Sequence, residues 1–241
     1  MRAGLAVVMA FVIGAGCGDD AQSAKHPDAA IDAPGPIDAA IDAVPACQPT
    51  PLLVAGTDLA AQKWTVVQSQ PSTLTNPPGA DFIQIDTATT GNAPGGEFLL
   101  SFTSASALAP PFKLAIVMKV VSLTAHPPDP LDAAAAIMPS FSGLSGSQTE
   151  REQMVSIEST KIGCGDGKPS APATLVDGAF HTYTLAVDAN KTMTVTLDDQ
   201  ATPVITRAQI TLGGTFAIGD QTNDPNVDSS LQIRSITKLC L

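Results

Sequence analysis

Positive charge is scarce in this sequence: 12 Lys and Arg stand against 23 Asp and Glu, a net charge of −11. No stretch gathers its cations into a patch for phosphates, which excludes nucleic acid and anionic membrane surfaces as partners. Trp and Tyr are scarcer still, with one of each. Trp64 lies mid-strand with Val66 and Tyr183 falls in a core pattern, so neither reads as a platform for a sugar ring. Only three histidines occur. His26 lies in a low-complexity segment, His126 in a proline-rich loop and His181 on a strand. None has zinc spacing to a cysteine, and no nucleophile can be placed beside one. The N-terminal apolar run, Leu5–Ile13, has about nine residues, too few to span a bilayer as a helix.

What is present begins with an export signal over residues 1–16. Arg2 supplies its positive start, Leu5–Ile13 its apolar segment, and Gly14, Ala15 and Gly16 the small residues before a cleavage site. Cys17 follows directly, and the arrangement resembles a bacterial lipoprotein signal, with Gly14 where that pattern prefers Leu. The resemblance implies that Cys17 carries the lipid and that the protein sits in a bacterial cell envelope, at the outer membrane or cell surface. Asp19 and Asp20 leave the choice of membrane open. Residues 17–46 then read as a disordered acidic tether. Three Ile-Asp-Ala units, at Ile31, Ile37 and Ile41, alternate with Pro27, Pro34, Pro36 and Pro45. Such a segment cannot bury enough apolar surface to offset its ordering entropy. Fully extended it reaches roughly 90 Å.

Residues 47–241 are long enough for one domain with a sizeable core. Strand candidates are Lys63–Gln68, Asp81–Thr87, Glu97–Thr103, Lys113–Leu123, Ala134–Phe141 and Glu152–Thr160, separated by Pro- and Gly-rich links. Lys113–Leu123 is apolar on both faces, as expected of a central strand. Leu131–Ile137 is the one stretch that could form a short helix. The clearest pattern follows Phe180: Tyr183, Leu185 and Val187 alternate with Thr182, Thr184 and Ala186, then Met193, Val195 and Leu197 with Thr192, Thr194 and Thr196. A period of two marks half-buried strands, and Asp188-Ala189-Asn190 joins them into a hairpin, with Asn190 suited to the left-handed conformation of the loop. The fold class is all-β, an antiparallel two-sheet β-sandwich.

The same C-terminal stretch carries a family pattern. Gly178, Phe180, His181, Tyr183, Leu185 and Val187 are followed by Val195, Leu197 and Asp198. Then come Gly214, Phe216, Ile218, Gly219 and Asp220, and a last strand with Leu231, Ile233, Ser235 and Ile236. This resembles the concanavalin A-like lectin/glucanase superfamily, in its laminin-G-type jelly roll. The matching positions are mostly core and turn residues, so they speak for fold rather than function. The superfamily's first and last strands lie side by side, which implies a disulfide between Cys47 and Cys240 and leaves Cys164 as the odd thiol. His181 matches a position that is usually structural. The superfamily's hydrolases carry a Glu-x-Asp-x-Glu pattern on one strand face. Here the nearest run, Glu150 to Met154, has Met154 where the third acid belongs and Arg151 between the first two carboxylates, and reads as an exposed, charged strand start.

One constellation could hold a ligand. Asp220, Asn223, Asp224, Asn226 and Asp228 offer the hard oxygens that calcium prefers, and laminin-G-type relatives bind calcium at one sandwich edge. The spacing is not that of an EF-hand, and Asx-rich loops also arise as self-capping turns, so both readings stand. No cofactor besides calcium is expected. The expected function is a lipid-anchored envelope protein whose lectin-like domain binds a glycan or a surface protein, or serves a structural role, without catalysis. A degenerate or unrecognised glycoside hydrolase of the same superfamily is the alternative.

Overall fold

The computed structural model describes residues 47–68, 72–87, 97–124, 131–144, 146–213, 215–222 and 227–241. Residues 1–46, read as an export signal and tether with Cys17 between them, lie outside these. In chain order the first strands are β1 (Thr50–Val54), β2 (Trp64–Gln68), β3 (Thr73–Thr75), β4 (Ile83–Asp86), β5 (Phe98–Phe102), β6 (Phe112–Leu123) and β7 (Ala136–Phe141). A six-residue helix, α1 (Gln148–Gln153), precedes β8 (Val155–Ile157), β9 (Lys161–Cys164), β10 (Ser170–Pro172) and β11 (His181–Val187). The chain closes with β12 (Met193–Leu197), β13 (Ile205–Arg207), β14 (Thr215–Asp220) and β15 (Ser229–Lys238).

Two antiparallel sheets face each other. One has the order β13-β12-β11-β6-β15-β4-β3, with β1 also on β15; the other runs β10-β9-β8-β7-β14-β5-β2. The chain crosses from sheet to sheet at each step from β4 to β7 and again from β13 to β15, the double-sheet order of a jelly roll. The fold class, an all-β antiparallel two-sheet β-sandwich of jelly-roll type, follows from this order. β1 and β4 share one edge of β15: Thr50 stands opposite Lys238, and Ser230 opposite Asp86. The first and last strands therefore lie side by side. Cys47 and Cys240 form a disulfide with Cα atoms 5.8 Å apart.

The core follows from period-two burial. Leu114, Ile116, Met118 and Val120 of β6 point inward with Tyr183, Leu185 and Val187 of β11 and Met193, Val195 and Leu197 of β12. Across the gap they meet Phe98, Leu100 and Phe102 of β5, Phe216 and Ile218 of β14, and Trp64. Trp64 packs 5.1 Å from Phe102 and donates its Nε1–H to the Leu52 carbonyl at 2.8 Å, so both its apolar body and polar tip are satisfied. β6 lies between β11 and β15, as its two apolar faces predict. The hairpin also forms, with Val187 opposite Met193. Its left-handed residue, however, is Lys191 at φ 61°, not Asn190. Lys191 N–H bonds the Asp188 carbonyl at 3.0 Å, and the Asp188 carboxylate takes the Thr192 N–H at 2.7 Å. A type I turn closed this way puts the left-handed position directly before the returning strand.

The sheets differ on their outer faces. Leu99, Ala136, Met138, Phe141 and Ala217 of the β7-containing sheet are buried with Met154 and Ala133 in a second apolar cluster. Leu131–Ile137 is not helical: residues 131–135 make a turn and bends, and Ala136 and Ile137 begin β7. The outer side of the β6-containing sheet stays open: Ala115, Val117 and Lys119 alternate half-exposed with the buried core positions, as do Thr182, Thr184 and Ala186. Cross-strand pairs such as Thr184 opposite Thr196 line it.

Candidate functional site

The run Glu150 to Met154 corrects its sequence reading. It forms α1 and the helix end instead of an exposed strand start, and the following strand is only Val155–Ile157. Ser147 and Glu150 make a reciprocal capping box, and Glu150 is only 5% exposed. Its carboxylate accepts from Ser147 N–H at 2.7 Å, Ser142 Oγ at 2.8 Å and Ser140 Oγ at 3.2 Å. Burial alone would push this acid's pKa up, but those donors outweigh it and hold the carboxyl below its ordinary range. Glu150 is occupied with closing the fold.

The acidic loop is divided. Asn223, Asp224 and Asn226 lie outside the described residues. Asp220, the last residue of β14, is fully buried. Thr87 Oγ1 donates to its Oδ2 at 2.6 Å, and Thr222 N–H to its Oδ1 at 3.1 Å. Gly219, at φ 145°, allows the approach that places it there, since a Cβ would stand 2.2 Å from the Phe98 carbonyl oxygen. Desolvation pushes the Asp220 pKa well up, more than its donors lower it, and the charge of Asp228 adds to the rise. Among the described residues, no group of three His, Cys, Asp or Glu side chains gathers to hold a metal. Asp220 is thus engaged by protein donors, and Asp228 is half-buried.

His181 lies at the start of β11 between two carboxylates, with Nδ1 3.0 Å from Asp198 Oδ2 and Nε2 3.2 Å from Asp177 Oδ1. Burial by itself lowers the imidazole pKa, but the bonds to Asp198 and Asp177 outweigh it and raise it. The same contacts hold both carboxyls below their usual range, and Asp198 also takes the Thr182 N–H at 2.9 Å. The histidine ties the loop before β11 to the end of β12. Tyr183, two residues on, is fully buried in the core as its pattern predicts. Cys164 ends β9 as a buried free thiol whose pKa burial raises further.

The residue before His181 opens onto the outer face, and sequence reasoning missed it. Phe180 stands 6.3 Å, ring to ring, from Phe82, the residue before β4. The Arg234 guanidinium lies 3.9 Å from the Phe180 ring centre and Lys119 Nζ 5.1 Å from it. Arg234 reaches this position through a β-bulge: Ile233 pairs with Met118 and Ser235 with Val117, which leaves Arg234 as the extra, exposed residue. Beside the rings, Gln232 donates to Gln84 at 2.9 Å, and Gln84 to Ser230 at 2.8 Å. Three adjoining strands, β6, β15 and β4, and the start of β11 thus bring two phenyl rings, two cations and two amides onto one solvent-facing patch. Phe82 was readable in the sequence, since it has the opposite parity to Ile83 and Ile85. The bulge was not, because it breaks the parity on which such reading depends.

No family model matches the sequence. No curated protein matches it either. Solved structures similar in shape include the carbohydrate esterase vb_24B_21 of Shiga toxin-encoding bacteriophage phi24B. It has a TM-score of 0.49 and 13% identity, covering 79% of this chain and 98% of that one. The exoplasmic/lumenal domain of VIP36, solved with calcium and mannose, has a TM-score of 0.45 and 12% identity over 74% of this chain and 83% of that one. The potassium-bound carbohydrate recognition domain of Emp46p has a TM-score of 0.44 and 12% identity, with 79% and 95% covered. At such identities a likeness speaks to fold and not to activity.

Proposed function

We propose that residues 47–241 form a non-catalytic, glycan-binding jelly-roll domain, held at a bacterial envelope by a lipid on Cys17 through the tether of residues 17–46. The observation that carries the binding role is the Phe82–Phe180 pair on the open outer face, flanked by the Gln84–Gln232 amides. Phenyl rings at a solvent-facing position of a sheet offer apolar surface to the C–H face of a pyranose, and neighbouring amides offer donors and acceptors to its hydroxyls. Along β11, β6, β15 and β4 the outward positions among the described residues carry one carboxylate, Asp86. Glycoside hydrolysis needs two, so the face suits binding better than cleavage.

Glycan-array binding of the full chain in detergent tests the role. Wild type is expected to bind a defined glycan set, and Phe180→Ala to weaken it at least about tenfold, as loss of an aromatic anchor does. Absence of binding by wild type to every glycan would refute the reading. Fractionation tests the anchor, which rests on the small residues before Cys17 and the acidic spacer after it. Cys17→Ser is expected to shift the protein to soluble fractions or leave an uncleaved precursor; unchanged membrane association would sink that part.

A further inference from the structure

We infer that the glycan taken by the open face is acidic, with a pyranose ring at Phe180 and its carboxylate or sulfate between Arg234 and Lys119. The inference rests on the glycan-binding reading and adds the chemical class of the ligand.

Cations are few in this chain, 12 against 23 acids, and three of those described are spent on ion pairs. Arg151 pairs with Asp132, Arg207 with Asp166, and Lys161 with Glu158. Lys119 and Arg234 form no ion pair among the described residues, yet both converge on a single phenyl ring from neighbouring strands. Two like charges held over one ring repel each other, and the ring's electron-rich face offsets only part of that. An anionic group standing beside the ring would reach both cations at once, and a guanidinium offers a planar fork suited to a carboxylate or sulfate. The bulge at Arg234 aims that fork at the ring, which a regular strand would not do. The uncharged, half-exposed Gln84 and Gln232 next to it suit hydroxyls. Asp86, on the same face beyond Gln84, confines the cationic zone to the β6–β15 side and so sets which end of the sugar its charge must occupy.

Two matched pairs of polymers separate charge from ring chemistry: polygalacturonate against its full methyl ester, and dextran sulfate against dextran. Calorimetric titration of the full chain in detergent is expected to show at least tenfold tighter binding of the charged member in one pair. That pair names the source of the anion. Arg234→Gln and Lys119→Gln should each remove most of that preference, bringing binding of the charged member down toward that of its neutral counterpart. Both side chains are solvent-facing, and unchanged thermal unfolding of the variants would confirm that the fold is kept. Equal binding of both members in each pair, lost in Phe180→Ala, would overturn the acidic-ligand inference and leave glycan binding standing. No binding to any of the four polymers would overturn both. Equally tight binding of polyglutamate would show that charge alone is recognised, an acidic peptide serving as well, and would also overturn it.

Discussion

At the scale of single residues, a histidine clasp stands directly beside the Phe180 patch. His181 lies between Asp177 and Asp198, and its backbone neighbour Phe180 turns outward onto the patch. Because the folded-state imidazole pKa is raised above 6.5, its pairing contributes full stability below that value and loses it as pH rises through the folded pKa. The two carboxyls are lowered from 3.8, so their share is present above that value and lost as pH falls through their folded pKa values. The clasp is therefore strongest between about pH 4 and 6.5. Thermal unfolding of His181→Gln is expected to fall furthest below wild type in that window and to approach it at higher pH. A difference that did not vary with pH would mean that His181 acts by packing alone. The sequence pattern already marked His181 as structural. It did not supply the clasp, because Asp177 and Asp198 approach it from two different loops.

Among the elements, α1 and the β15 bulge both break period two, and both escaped sequence reading. Glu150, Arg151 and Glu152 look like the start of a charged strand until Ser147 is seen to accept from the Glu150 N–H and Glu150 to reach back to Ser147. The capping box was spelled in the sequence as Ser147 followed by Glu150, but a six-residue helix gives too little periodicity to outweigh neighbouring strands. Glu150→Gln keeps the shape and removes the charge that three serines stabilise, so a loss of about 1 to 3 kcal/mol is expected. The folded-state pKa of Glu150 is lowered from 4.5, so that loss is expected above pH 4.5 and should vanish as pH falls through the folded pKa. Denaturant unfolding at pH 7 and at pH 3 would measure it; equal losses at both would assign the effect to shape rather than charge.

For the whole molecule, the disulfide joins the residues that flank its first and last strands. Cys47 and Cys240 close a loop of 193 residues beside the β1–β15 pairing. Chain entropy sets an upper stabilisation of roughly 5 kcal/mol for so long a loop. The Cys47→Ser/Cys240→Ser double variant is expected to lose about 2 to 5 kcal/mol in denaturant unfolding, with Cys164 still buried and unpaired. Loss of less than about 0.5 kcal/mol would show that β1 is held by its ladder and packing alone. The acidic balance acts at this scale too. With 12 cations against 23 acids, two cations that form no ion pair among the described residues converge on a single ring.

The sequence by itself determined the sandwich, since apolar residues two apart on β11 and β12 can satisfy both burial and backbone bonding only as half-buried strands. It also determined the hairpin between β11 and β12 and, through the family pattern, the pairing of Cys47 with Cys240. Tertiary structure alone decided the rest. Phe82 and Phe180 are 98 positions apart and meet because β15 and β6 lie between β4 and β11. Arg234 joins them through a bulge that no period announces. Asp220, for which the sequence left both a cation ligand and a self-capping turn open, accepts from Thr87 across the fold, since β14 and β4 end at the same side. Local pattern records which face a residue takes within its own strand. Which strands become neighbours is settled by long-range pairing, and that is where the patch is made.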